Sequence, residues 1–145
     1  MFKNILFPTD GSSLSNGVID KCLAFARESG ATVTGLHVME PFHIFTYQTD
    51  MLEDTKAQFE KDSMAQAQKY LAEIEKAADA MRVPCTTLYL TNEHPYEAII
   101  QVAEDKGCDL IVMTSHGRKG VKGFLLGSET QKVLTHSRIP VLVYR

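Results

Sequence analysis

The alternation of five short apolar runs with four stretches of helical spacing constrains this chain more than any other feature. Asn4-Ile5-Leu6-Phe7, closed by Pro8, reads as a buried strand. Asp10-Gly11-Ser12-Ser13 is a turn that offers helix N-caps. Leu14, Val18, Cys22 and Phe25, with Ile19, Leu23 and Ala26, then recur at helical spacing until Gly30. Thr32 to Val38 is β-branched and reads as a second strand. Asp50 and Glu53 have capping-box spacing ahead of a long polar helix whose stripe is Ala67, Leu71, Ile74, Ala78 and Met81. Cys85 to Leu90 is a third strand. Pro95 opens a third helix that buries Ala98, Ile99, Val102 and Ala103, and Gly107 closes it. Leu110 to Met113 is a fourth strand. Ser128 and Gln131 again have capping-box spacing before the last helix, and Pro140 to Tyr144 is the final strand.

The order is therefore βαβαβαβαβ. Strands separated by helices of this length predict a parallel sheet with helices on both faces. In such sheets ligands bind outside the carboxyl ends of the strands, where strand order reverses. Two segments just after strands carry unusual chemistry: Pro8 to Ser13, and the stretch from Thr114 to Ser128.

Composition removes several classes. The 145 residues predict one domain, 1–145, with a core large enough to need no metal or disulfide staple. Net charge is −3, so no nucleic-acid or anionic-membrane partner is expected. No apolar run approaches the ~18 residues of a membrane span and the N-terminus is no signal peptide, so the expected location is cytoplasmic. Cys22, Cys85 and Cys108 form no CxxC pair and read as small hydrophobes in or beside the core. The histidines show no metal-ligand spacing.

Glycine supplies the best chemical signal. Of nine in the chain, Gly117, Gly120, Gly123 and Gly127 lie within eleven residues. Their backbone can wrap closely around a ligand. The loop then feeds a helix N-terminus, where free N–H groups and the dipole favour an anion by about 0.3–1 kcal/mol. The Ser128 hydroxyl and Arg118, Lys119 or Lys122 could add to phosphate binding. GxxxxGK[ST] and GxGxxG are both absent. The alternative is a surface loop with a solvated cationic run.

These motifs resemble the universal stress protein (UspA) family. Its nucleotide-binding members carry G-x2-G-x9-G-[ST] after the fourth strand. This chain has Thr114-Ser115-His116-Gly117, nine residues, then Gly127-Ser128. The opening ILFPTDGS, the LHV strand, CDLIVMTSHGRKG, LLGSETQKVL and the closing IPVLVYR extend the resemblance along the whole chain. It implies a Rossmann-like, adenine nucleotide alpha hydrolase-like sheet of order 3-2-1-4-5. It also implies an ATP-binding, usually dimeric domain that acts in the stress response, with AMP or ADP as alternative ligands and Mg²⁺ arriving with the phosphates. By matching position, Pro8, Thr9 and Asp10 would line the turn after strand one, with Asp10 near ribose, phosphates and any Mg²⁺. Val38 would contact adenine through its backbone and Met113 would wall the base pocket. Gly117, Gly127, Ser128, Glu129 and Thr130 would hold ribose and phosphates. Thr114 stands where the family has its first motif glycine.

Other readings stay open. Asp10 is either a turn former or a ligand contact. Its use as a phosphatase-like nucleophile would want an acid at Ser12. His116 either touches phosphate or shapes the loop. Met39 to Met51, rich in aromatics, either meets a partner or ligand or folds onto the sheet edge. The acids of the long helix read as a solvated face. The final strand has an outer edge with nothing downstream to cover it, so a homodimer through Val141, Leu142, Val143 and Tyr144 is expected. A nucleotide-binding regulator or sensor with slow or no hydrolysis stands first. A dimeric interaction protein without nucleotide stands second. A transferase of adenylyl or phosphoryl groups stands third, because no catalytic constellation is visible.

Overall fold

The computed structural model describes residues 1–43, 49–115 and 126–145. Its elements are β1 (Asn4–Pro8), α1 (Ser13–Ser29), β2 (Thr32–Met39), α2 (Thr49–Met81), β3 (Cys85–Thr91), α3 (Pro95–Asp105), β4 (Leu110–Thr114), α4 (Ser128–His136) and β5 (Val141–Tyr144). The five strands form one parallel sheet in the order β3-β2-β1-β4-β5. This is the parallel α/β sheet expected from the alternation, in the Rossmann-like strand order that the family resemblance implied.

Two cores flank the sheet, and strand alternation sorts residues between them. Ile5, Phe7, Val33, Leu110 and Val112 pack with α1 and α2 residues such as Leu23, Leu71 and Ile74. Leu6, Leu36, Ile111 and Met113 pack with Ile99 and Val102 of α3 and Val133 of α4. Each fully buried Leu, Ile or Phe contributes about 1.5–3 kcal/mol. Central β1 and β4 are apolar on both faces because both faces are covered. Gly35 lets α2 approach β2: a Cβ there would lie 3.1 Å from Ile74 and 3.2 Å from Thr87.

Three helices end in the same way. Ala31 N–H reaches Ala26 C=O after α1, Val83 N–H reaches Ala78 C=O after α2, and Cys108 N–H reaches Ala103 C=O after α3. In each case the preceding residue is left-handed: Gly30 (φ 70°), Arg82 (φ 58°) and Gly107 (φ 66°). These are Schellman closures, and the buried Ala31, Val83 and Cys108 supply their apolar contact. At the amino end of the sheet, the Asp109 carboxylate accepts the N–H groups of Lys3 (2.8 Å) and Asn4 (3.1 Å), which ties β1 to the start of β4.

Both capping-box spacings are corrected. Thr49 is already helical, so Asp50 lies inside α2 and cannot be its N-cap. For α4 the N-cap is Gly127, and Ser128 is the first helical residue. Gln131 turns back instead and donates its side-chain amide to Leu126 C=O (2.7 Å). A capping box needs its Ser one residue earlier, in extended conformation.

The 33 residues of α2 span about 50 Å. Its buried stripe begins only at Ala67, and Glu53, Asp54, Glu60 and Asp62 are exposed as expected. Phe42 packs on Phe59 of this helix, with centroids 5.4 Å apart, so that part of the aromatic stretch rests on α2. The remainder of the stretch, 44–48, falls outside the described residues. Cys22 and Cys108 are buried, while Cys85 borders the first core. No described helix is long and apolar enough to cross a membrane.

Candidate functional site

The strand order reverses between β1 and β4. Helix α1 leaves β1 toward one face, and α4 leaves β4's connection toward the other. A crevice at the carboxyl ends of these two strands follows from that divergence. The chain brings Pro8, Thr9 and Asp10 to it from β1, Val38 from β2, Met113 and Thr114 from β4, and Gly127 and Ser128 from the start of α4.

The turn after β1 is the most heavily bonded part. Thr9, 6% exposed, donates its N–H to Leu36 C=O (2.8 Å). Its hydroxyl oxygen accepts the Gly11 N–H (3.1 Å) and the hydroxyl of buried Ser15 (3.0 Å). The Asp10 carboxylate accepts the Ser12 N–H (2.9 Å), an Asx turn. Ser12 then caps α1 by accepting the Ser15 N–H (3.1 Å). Asp10 is thus a turn former at the carboxyl end of β1, and the same bond fixes its carboxylate.

His37, on β2, touches this turn from the side. Its Nδ1 lies 2.8 Å from Thr9 C=O. A carbonyl only accepts, so Nδ1 carries the proton. The His37 ring meets Tyr70 of α2 edge-on, with centroids 5.1 Å apart. Tyr70, 9% exposed, covers Gly11, whose absent Cβ would fall 2.2–2.5 Å from its ring atoms. Sequence reading missed His37, Tyr70 and Gly11 as parts of one unit. A polar residue on a core-facing strand position and an aromatic beside the α2 stripe were the available signals.

The connection from β4 to α4 is closed at its neck. Ser115, 3% exposed, donates its N–H to Tyr144 C=O (2.7 Å) and accepts the Gly127 N–H with its own carbonyl. The buried Thr130 hydroxyl donates to Thr114 C=O (2.8 Å). Both bonds set the end of β4 against the first turn of α4. The first intrahelical bond runs from Gln131 N–H to Gly127 C=O, so the N–H groups of Ser128, Glu129 and Thr130 precede the helical ladder. The Gly127 N–H faces Ser115, in contrast to a donor aimed at ligand. His116, Gly117, Arg118, Lys119, Gly120, Lys122 and Gly123 lie outside the described residues.

On the α3/α4 side, Met113 is buried in the core at 7% exposure and half-buried Val38 packs against the same cluster, so Met113 presents little surface to the crevice. Side-chain carboxylate from Glu129 turns away to α3, where it accepts the Tyr96 N–H (3.0 Å). Among the described residues no group of three or more His, Cys, Asp or Glu could hold a metal ion. A separate groove between α2 and β3, lined by Gln68, Glu75, Thr87 and Tyr89, lies at the outer sheet edge, away from the β1/β4 crevice.

The family model described as the Universal stress protein family matches residues 1–145. The universal stress protein MJ0577 of Methanocaldococcus jannaschii is 29% identical, over all of this chain and 96% of that protein. A universal stress protein of Thermus aquaticus, encoded in a QAH/OAS sulfhydrylase 3' region, is 34% identical over the full length of both chains. The solved structure of MJ0577 superposes with a TM-score of 0.84 at 30% identity, covering 99% of this chain and 95% of that one. A universal stress protein solved in complex with cAMP shares the fold, with a TM-score of 0.72 at 21% identity over 99% and 97% of the two chains. A full-length family match, a full-length relative above 30% identity and the same overall fold lead to one conclusion: this chain belongs to the universal stress protein family.

Proposed function

We propose that this chain binds an adenine nucleotide, ATP with Mg²⁺ in first place, in the crevice between β1 and β4. In this reading it serves as a regulatory or sensor domain of the stress response in the cytoplasm. One observation carries the reading. The Thr130–Thr114 and Gly127–Ser115 bonds present the start of α4 at the carboxyl end of β4, next to the Asp10 turn. An anion there meets the Ser128, Glu129 and Thr130 N–H groups and the positive end of the helix dipole. Partly exposed Pro8 and Val38 offer apolar surface of the kind a purine needs, and the buried Met113 would have to turn outward to wall the base. The cAMP complex belongs to a relative whose likeness extends to the fold, so the residues of this chain carry the argument.

Mg²⁺ would be held through the nucleotide phosphates, with the Asp10 carboxylate as the nearest acid of the turn. Bound nucleotide would lie outside the strand ends, with no described base aligned for an attacking water. Hydrolysis is accordingly slow or absent in this reading.

Homodimerisation through β5 is part of the same proposal. β5 is an edge strand, and Val141, Leu142, Val143 and Tyr144 are each only half-buried in the single chain. Pairing two such edges about a two-fold axis would cover them. Sedimentation should give a dimer at micromolar concentration, and a monomer alone would remove this part.

A specific observation favours a second reading, an interaction protein of the same fold without nucleotide. Thr114 occupies the first motif glycine position with a β-branched side chain, and the Gly127 N–H is engaged by Ser115. Denaturing the purified protein and assaying released adenine nucleotide, followed by calorimetric titration with Mg-ATP, separates the two. Released nucleotide or saturable heat supports the first. Neither supports the second.

A further inference from the structure

The described residues hold a polar and aromatic cluster that the nucleotide reading does not use. It joins β2 and α2 to the turn after β1. His37 Nδ1–H donates to Thr9 C=O at 2.8 Å. Thr9 in turn accepts from Gly11 and Ser15, both through its hydroxyl oxygen. Tyr70 seals Gly11 from above, and Gly11 holds φ at +75°. That conformation is strained for any residue with a Cβ, and the ring leaves no room for one.

Asp10 lies between Thr9 and Gly11, so its backbone direction is set on both sides. On one side the constraint is the His37–Thr9 bond. On the other it is the Tyr70 ring over Gly11. Only then does the Asx bond to Ser12 fix the carboxylate. We infer that His37 and Tyr70 are positioning residues, which orient the Asp10 turn for the ligand of the β1/β4 crevice without touching that ligand. The inference rests on the nucleotide reading, because it is that reading which places Asp10 beside the ligand.

The geometry discriminates among replacements for His37. An Asn amide nitrogen can stand near the position of Nδ1 and donate to Thr9 C=O. A Gln amide reaches toward the position of Nε2, and Ala offers no donor. His37→Asn should therefore keep Mg-ATP affinity within about twofold, while His37→Ala and His37→Gln should each weaken it about fivefold to tenfold, the range of one hydrogen bond. Tyr70→Phe keeps the ring over Gly11 and should bind within about threefold, whereas Tyr70→Ala should lose about tenfold. A merely structural role would lower thermal stability in all variants without this ordering.

The experiment is calorimetric titration of the full chain and these variants with Mg-ATP, beside amide hydrogen exchange of Gly11 and Ser12. Faster exchange at those two amides in His37→Ala, with α1 still protected and His37→Asn restored, is the expected companion result. Wild-type-like affinity and exchange in His37→Ala would overturn the inference and leave the nucleotide reading intact. A wild-type chain that binds no adenine nucleotide would overturn both.

Discussion

Glu129 in the first turn of α4 accepts the backbone N–H of Tyr96 in the first turn of α3, at 3.0 Å. One helix thus supplies the N-terminal cap of another. His94 is α3's own N-cap and makes no side-chain bond there, and Pro95 contributes no N–H. The carboxylate satisfies an orphan donor and complements the positive end of α3.

Glu129→Ala should therefore destabilise the domain by about 1 kcal/mol, and Glu129→Gln by less, since an amide oxygen still accepts. Lys132, 3.5 Å from the same carboxylate, forms an exposed pair. Its loss should cost less than about 0.5 kcal/mol. Urea denaturation of the three variants tests the order, and Lys132→Ala matching Glu129→Ala would contradict the cap.

Arg82 marks a correctable strain. It is the only described non-glycine residue with positive φ, and it sits where α1 and α3 carry Gly30 and Gly107. Its Schellman bonds, Arg82 N–H to Asp79 C=O and Val83 N–H to Ala78 C=O, need only backbone. Arg82→Gly should stabilise the protein by about 1 kcal/mol, the cost of a left-handed residue with a Cβ less glycine's added chain entropy. A lower denaturation midpoint would show that the Arg82 side chain contributes more than its backbone costs.

The same comparison explains what could be read from the sequence. Gly30 and Gly107 announced their helix ends because glycine is the residue such a cap selects. Arg82 announced nothing, since its conformation is imposed by the buried Val83 that follows. The strands and the α2 stripe were legible because period-two and helical spacings directly record which faces are covered. The capping boxes were misread because Asp50 and Ser128 have the right residue type but already lie inside their helices, as the second and the first helical residue. Of the proposed site, the segments Pro8–Ser13 and Thr114–Ser128 are singled out by their place after strands. The His37–Thr9 and Tyr70–Gly11 contacts are not, because they join residues 28 and 59 positions apart that only the sheet register and α2 packing bring together.

The cysteines should be poor nucleophiles in the folded chain. Burial, followed by the proximity of Cys85, pushes the Cys22 thiol from 9.0 up to about 12. Burial and then the Glu75 carboxylate push Cys85 up to about 11, against a backbone bond from Gly35 that lowers it. Burial also raises Cys108. At pH 8 iodoacetamide should label Cys85 about a hundredfold more slowly than a free thiol, because the thiolate is the reacting species. The folded chain holds these protons more tightly than the unfolded chain. The stability these thiols contribute is therefore present in full below about pH 9 and is lost as pH rises toward 11 to 12. Labelling of native Cys85 at a free-thiol rate would refute this.

Thr130 links stability to the crevice. Its side chain is 3% exposed, and its hydroxyl donates to Thr114 C=O at 2.8 Å, at the end of β4. Thr130→Val keeps shape and removes the donor, leaving a carbonyl short of its partner, so the loss should be about 1–2 kcal/mol. Thr130→Ser keeps the donor and gives up a methyl, for about 1 kcal/mol. The two variants should then separate in Mg-ATP titration. Thr130→Ser should bind like the wild type, because the first turn of α4 stays fastened to β4. Thr130→Val should bind several-fold more weakly, because that fastening sets where the Ser128 and Glu129 N–H groups stand. Equal affinities, with the stability loss confirmed by denaturation, would confine Thr130 to the core and detach the helix start from the binding site.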